Sequence, residues 1–292
     1  MSSFFARLGH AQFNSKLGRS ILGCFYRSGQ VYTVPFGSLR GAKLRYCSEI
    51  NFHAMLGLWE LASLRFLSRA LVKSGLVPRD AVVCDVGANI GTYSLWLSRQ
   101  CVPQGKVYAF EIAPVTLERL RDNLLLNNIK NVEVVPAACA DRVGPLDFFI
   151  GRHHHSNSLS AEWSGGGQCQ PQKLVVDGVT LDDFFYGGKT RPAPAFIKMD
   201  IEGGGVFALK GCRLVCDKAR PVFLIESHTP AEDSAIRTII TDHNYKAFRI
   251  ETHTWITRPD EIYPHPDGVW GNVFLCPAEK CGTLEPLIGR AG

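Results

Sequence analysis

Val82-Val83-Cys84-Asp85-Val86-Gly87-Ala88-Asn89-Ile90-Gly91 is an apolar run that ends in an acid and passes into a glycine-bearing turn. A helix is predicted to open at Thr92-Tyr93-Ser94-Leu95, which makes the stretch a strand–turn–helix unit. Gly87 and Gly91 admit backbone angles, and close approach of a ligand to main chain, that side chains forbid. In an open α/β sheet, ligands lie in the crevice outside the carboxyl ends of the strands, where this turn falls. The spacing Gly87-x-x-x-Gly91 is not the G-x-G-x-x-G of dinucleotide sites. Asp85 adds a carboxylate, which favours a cationic group over a pyrophosphate. S-adenosylmethionine, with its sulfonium and ammonium, meets that demand. Asp85, Gly87, Ala88, Asn89 and Gly91 are therefore the first candidate cofactor contacts.

Working outward, Gly105-Lys106-Val107-Tyr108-Ala109-Phe110-Glu111 reads as a second strand ending in an acid. An acid about twenty residues beyond the glycine turn is where such folds hold the ribose hydroxyls. Glu111 is expected to accept charge-assisted hydrogen bonds from that diol. Pro114 and the spacing of Leu117, Leu120 and Leu124 predict the next helix. Val132 to Ala138 reads as a third strand whose end, near Ala138, is expected to line the adenine. Strands alternating with helices predict a parallel sheet with crossover helices.

The chain has 292 residues, 46% of them hydrophobic, which is ample for a buried core. Seven basic residues and no acid precede Glu49 (Arg7, Lys16, Arg19, Arg27, Arg40, Lys43 and Arg45), so the net +5 of the whole chain leaves the remainder at −2. A broad nucleic-acid groove is not expected on such a surface. The basic start resembles a mitochondrial targeting stretch, or reads as a helical lead-in with a solvated basic face open to peripheral contact with acidic membrane. Ten cysteines without a C-x-x-C pair, and no secretory signal, predict reduced thiols in a cytoplasmic setting, with Cys84 and Cys139 buried. No apolar span of membrane-crossing length is present.

Residues 1–80 read as an N-terminal helical extension, with one helix from Met55 to Val72 ended by Lys73-Ser74-Gly75. Residues 81–292 read as the main domain, with 139–190 an insertion carrying a small antiparallel unit that walls a substrate pocket. His153-His154-His155 and Ser156-Asn157-Ser158 fall in that insertion, followed by Gly165-Gly166-Gly167. Adjacent residues of an extended chain point to opposite faces, so at most two of these histidines can share an ion, and no metal site is expected there.

Two further apolar runs end in sudden charge: Ala195-Phe196-Ile197-Lys198-Met199-Asp200-Ile201-Glu202 and Val222-Phe223-Leu224-Ile225-Glu226-Ser227-His228. Parallel strands share direction, so Asp200, Glu202, Glu226 and His228 are expected on the edge that carries the glycine turn. Isolated buried carboxylates are costly, which makes this gathering hard to explain as packing. His228 is the candidate base, since an imidazole changes protonation near neutral pH. Glu226 is placed to orient it, with Asp200 for a cofactor ammonium or the acceptor and Glu202 alongside. A rival arrangement has Asp200, Glu226 and His228 holding a hard divalent ion such as Mg²⁺.

DVGANIG resembles the first motif of Rossmann-like methyltransferases, and IKMDIEGGGVFALKG closely resembles a segment of the FkbM family. Gly57-Leu58-Trp59-Glu60, FLIESH and the closing Gly271-Asn272-Val273-Phe274-Leu275-Cys276-Pro277 extend the similarity over roughly residues 57–277. The resemblance implies a class I methyltransferase: a mostly parallel seven-stranded sheet with helices on both faces. It also implies S-adenosylmethionine-dependent O-methylation of a hydroxyl on a sugar, glycolipid or polyketide-like metabolite. One departure stands out: where the family carries a second acid after its D-x-E-G core, this chain has Gly205. The Asp/Asn-Pro-Pro-aromatic signature of nitrogen-methylating nucleic-acid enzymes is replaced here by Met199-Asp200-Ile201-Glu202. Alternatives are methylation of a protein acceptor, or a drifted, membrane-associated cofactor-binding scaffold without catalysis.

Overall fold

The computed structural model describes residues 26–47, 52–150, 172–188, 190–258 and 271–289. His153 to Ser158, the Gly165–Gly167 run and the basic residues Arg7, Lys16 and Arg19 lie outside them. The chain divides into two compact units, Met1–Leu61 and Ala62–Gly292.

The described part of the first unit is not purely helical. Strands β1 (Val31–Thr33) and β2 (Lys43–Arg45) pair antiparallel as a hairpin, and a helix follows at Phe52–Leu56. The single helix expected from Met55 to Val72 is broken at Gly57, which takes φ 73°, and helix resumes at Leu61–Leu67. A Cβ on Gly57 would sit 2.0 Å from the Phe36 carbonyl oxygen, so the backbone approach itself demands glycine.

The second unit is built on an eight-stranded sheet. Its members are β3 (Val82–Val86), β4 (Lys106–Phe110), β5 (Val132–Val135), β9 (Pro194–Met199), β10 (Val222–Ser227), β11 (Tyr245–Arg249), β12 (Thr254–Ile256) and β13 (Gly271–Pro277), in the order β12-β11-β13-β10-β9-β3-β4-β5. The run from β10 through β5 is parallel throughout, while β13 is antiparallel to both β10 and β11. The seven expected strands thus gain a short edge strand, β12, antiparallel to β11. Every residue of β3 and of β13 is buried, as strands covered on both faces require. Ile236 and Ile239 of the helix Pro230–Asp242 join Ala247, Val273 and Leu275 in one core. Phe248 and Phe274 meet Phe66 instead, with ring centroids 5.2 and 5.0 Å apart.

From β3 the chain steps outward to β4 and β5, then returns to lay β9 on the other side of β3. The order reverses between β3 and β9, which creates the crevice where open α/β sheets bind ligands. Between these excursions lies a three-stranded sheet of β6 (Ala138–Cys139), β7 (Gly144–Ile150) and β8 (Gln172–Val179), ordered β6-β8-β7. The third strand therefore ends at Val135, and Ala138 belongs to a different sheet, paired with Gly178. That corrects the reading of Val132 to Ala138 as one strand. The helix Leu181–Tyr186 also lies in the main core, with Leu181, Phe184 and Phe185 buried there. Among the described residues, no helix is long and apolar enough to cross a membrane.

The helix Pro230–Asp242 carries a pH-sensitive joint. Asp233 is 1% exposed. Its Oδ1 accepts from Ser227 Oγ at 2.6 Å, and its Oδ2 accepts no hydrogen bond among the described residues. Burial raises its carboxyl from the ordinary 3.8 to about 6, against the opposing pull of the Ser227 hydroxyl and Arg249. The folded value exceeds the unfolded one, so the folded state holds a proton that the unfolded chain has released. Stability from this group is complete below the unfolded value and is lost as pH rises to about 6. Thermal melts across that window should show wild type losing up to about 3 kcal/mol relative to Asp233→Asn. Parallel pH profiles of the two proteins would remove Asp233 as the titrating group.

Candidate active site

The glycine turn is fixed from two sides. Gly87 N and Ala88 N donate to the Phe110 carbonyl at 3.0 and 2.9 Å, and Asp200 N donates to the Val86 carbonyl at 3.0 Å. Gly87 takes φ 73°, and a Cβ there would lie 1.9 Å from the Asp200 carbonyl oxygen. The strand-end loop of β9 thus already requires glycine here. Gly91, at φ 90°, faces the helix Pro114–Leu126, where a Cβ would meet Leu120 Cδ1 at 2.6 Å. Close packing on Leu120 by itself requires glycine at this position. Ala88 is buried, and Asn89 is half-buried with left-handed backbone at φ 51°.

Asp85 is enclosed by protein. Its side chain is wholly buried and accepts from Ser94 Oγ at 2.6 Å, with Lys198 Nζ 3.5 Å from its other oxygen. The cation it faces belongs to the protein. Burial raises the Asp85 carboxyl, opposed by Lys198 and the Ser94 hydroxyl. Burial alone would lower Lys198, but Asp200, Asp85 and Glu226 together raise it, so it stays protonated. Lys198 Nζ also donates to the Gly87 carbonyl at 2.9 Å and lies 3.6 Å from Asp200 Oδ2. One buried ammonium therefore ties β3, the glycine turn and the end of β9 together. A lone lysine inside an apolar strand was the signal in the sequence, since a buried cation needs a buried counter-charge.

Glu111 stands where the second strand ends, next to the turn. Its Oε2 accepts from Asn89 N at 2.9 Å, and its Oε1 from Ile112 N and Ala113 N at 2.8 Å each. Burial pushes its carboxyl up, while these three backbone donors and Lys198 pull it down. A carboxylate has about four acceptor sites, so about one remains for a ligand.

The four strand-end residues do converge. His228 Nε2 lies 3.6 Å from Asp200 Oδ1, 3.7 Å from Glu202 Oε2 and 3.7 Å from Glu226 Oε1. The imidazole is almost completely buried, while the three carboxylates are partly open. Glu202 and Gly203 take left-handed backbone, φ 37° and 77°, as the chain leaves β9. Asp200, Glu226 and His228 each offer an atom within 4.8 Å of the others, a spacing that a hard divalent ion can bridge.

One residue that sequence reasoning passed over is Glu232. Its carboxylate accepts from Gly205 N at 3.0 Å and from His228 N at 2.8 Å. The pattern Thr229-x-x-Glu232 was legible as a helix-opening capping box, and Thr229 Oγ1 does accept from Glu232 N at 3.1 Å.

Sheet order, switch point and glycine turn together define a Rossmann-like class I methyltransferase fold. The chain belongs to the FkbM methyltransferase family: the FkbM methyltransferase domain matches residues 85–247. It is similar to methyltransferase sdnD of Sordaria araneosa, 38% identical over an alignment of 160 residues, with 46% of this chain and 61% of that protein covered. Over 206 residues it is 24% identical to hexuronic acid methyltransferase AglP of Haloferax volcanii, covering 68% of this chain and 77% of AglP. Among solved structures, methyltransferase FkbM of Methylobacillus flagellatus superposes with TM-score 0.47 at 20% identity, over 71% of this chain and 47% of that one. The chain spans 61% and 59% of the lengths of the two fungal methyltransferases it matches, sdnD and methyltransferase 1 of Beauveria bassiana.

Proposed function

We propose that this protein is an S-adenosylmethionine-dependent O-methyltransferase acting on a hydroxyl of a sugar, glycolipid or polyketide-like metabolite. The observation that carries the reading is His228 held within 3.7 Å of three strand-end carboxylates beside the switch-point turn. Support for a sugar-type acceptor comes from the similarity to AglP, which is named for hexuronic acid. The residues fit a cationic cofactor: Asp200 places a partly open carboxylate at this edge, and Glu111 keeps about one acceptor site beside the turn. When bound, S-adenosylmethionine supplies an electrophilic methyl group on a sulfonium. Glu111 would hold the ribose diol, and Asp200, partly open where Asp85 is sealed, would take the ammonium. His228 would accept the hydroxyl proton as the acceptor oxygen takes the methyl group and the carbon–sulfur bond of the sulfonium breaks, and Glu226 would keep the ring turned toward the acceptor. Alignment of the acceptor by such a site can lower the barrier by about 7–11 kcal/mol.

Incubation with methyl-labelled cofactor and a panel of glycans and hydroxylated metabolites tests the reading. A product heavier by one methyl, with the label on oxygen, is the expected result, and label on nitrogen or in protein would overturn it. Glu111→Ala should weaken cofactor binding roughly tenfold to hundredfold, the worth of about 1.5–3 kcal/mol for a bond to a charged group. The same change strips the partner from Asn89 N, Ile112 N and Ala113 N, so the turn loosens as well. Calorimetry giving wild-type affinity for a folded Glu111→Ala protein would remove Glu111 from the ribose site.

A further inference from the structure

The structure assigns to Glu232 the positioning of His228 against the carboxylates of the neighbouring loop, an inference that rests on the methyl-transfer reading. The parallel ladder between β9 and β10 ends at the pair Met199–Ile225. Asp200, Glu202, Glu226 and His228 all lie beyond that last pair; β13 still holds Glu226 opposite Asn272 and Asp200 N still bonds the Val86 carbonyl, but the β9–β10 ladder itself no longer sets the separation between the two strand ends. Glu232, 1% exposed, spans the gap. Its Oε1 takes the amide of Gly205, which opens the helix following the Asp200–Glu202 loop. Its Oε2 takes the amide of His228, with Thr229 Oγ1 at 3.3 Å and His228 Nδ1 at 3.8 Å. One carboxylate thereby sets the distance between the two loops that carry the chemistry.

Gly205 is the other half of this device. Its backbone is not in the left-handed region, so conformation alone does not call for glycine. A Cβ there would fall 2.7 Å from Glu232 Oε1 and 3.3 Å from Glu232 Cδ. A side chain at 205 and the carboxylate of Glu232 compete for one space, and this chain fills it from Glu232. A role confined to opening the helix would need the Thr229 exchange but neither the Gly205 bond nor an empty Cβ position.

The test compares Glu232→Ala, Gly205→Asp and the double variant in the full chain, by kcat, acceptor KM, cofactor affinity and amide exchange. Glu232→Ala should lower kcat on the order of tenfold to hundredfold, with cofactor Kd within about threefold, as misplacement of reacting groups predicts. Gly205→Asp alone should also lose activity, because its Cβ meets the Glu232 carboxylate. The double variant puts a carboxylate into the vacated space from the other side, so it should exceed Glu232→Ala by roughly tenfold. Wild-type kcat in Glu232→Ala, or a double variant no better than Glu232→Ala, overturns the assignment. If the alanine variant does not fold, Glu232→Gln keeps the volume but turns an N–H donor toward one of the two amides, and wild-type kcat there overturns it equally. Amide exchange at Gly205 and His228 gives a readout that needs no acceptor. Faster exchange in the variant with no methyl transfer in wild type condemns the enzymatic reading alone; unchanged exchange condemns the strut.

Discussion

His228→Ala is expected to lower kcat about 10²–10⁴-fold, the usual contribution of a positioned base, while cofactor affinity stays within a few-fold. The motive is geometric. Nε2 lies 3.6 Å from Asp200 Oδ1 and 3.7 Å from Glu226 Oε1 at the end of β10, and two strands separate β10 from β4, at whose end the proposed ribose contact Glu111 stands. The assay needs a chelator arm, since Asp200, Glu226 and His228 are spaced to share a divalent ion. Activity abolished by EDTA and restored by Mg²⁺ would make His228 a ligand and sink the base assignment. Unchanged kcat in the alanine variant would move the chemistry to Asp200 or Glu202.

Gly87→Val should abolish cofactor binding, and for a reason the sequence did not supply. The new Cβ would fall 1.9 Å from the Asp200 carbonyl oxygen, and Ile201 Cγ2 is only 2.8 Å away. Relief requires the β9 loop to move, which carries Asp200 and Glu202 out of the cluster and strains the Lys198 tie. Left-handed backbone at a β-branched residue costs a further 1–3 kcal/mol or about that order. The melting point should drop by roughly 2–4 °C for each kcal/mol lost. Gly75 provides the control, because it shares φ 73° but has open space around its missing Cβ. Gly75→Val should therefore show backbone strain without loss of affinity. A folded Gly87→Val protein that binds cofactor as wild type does would break the link between the turn and the β9 loop.

Much of the architecture was legible from Val82 onward because strand, turn and helix are specified by neighbours in sequence. Apolar runs of strand length, the glycine turn and alternation with helices force a parallel sheet. Once strands run parallel, acids at their carboxyl ends must share an edge, so the convergence of Asp200, Glu202, Glu226 and His228 needed no tertiary information. Glu111 was found the same way, from its distance beyond the turn. Errors arose where the chain leaves regular structure: Val132 to Ala138 reads as one apolar run, yet the backbone crosses from one sheet to another after Val135. The partnerships that give each acid its role were hidden for a different reason. Asp85 meets Lys198, and Gly205 meets Glu232, across long separations in the chain. Such pairs depend on register between strands and on where a helix is seated, and these are fixed only when the whole core packs. Local sequence set which residues reach the edge; packing decided that Asp85 answers to a lysine and that the carboxylate beside Gly205 comes from Glu232.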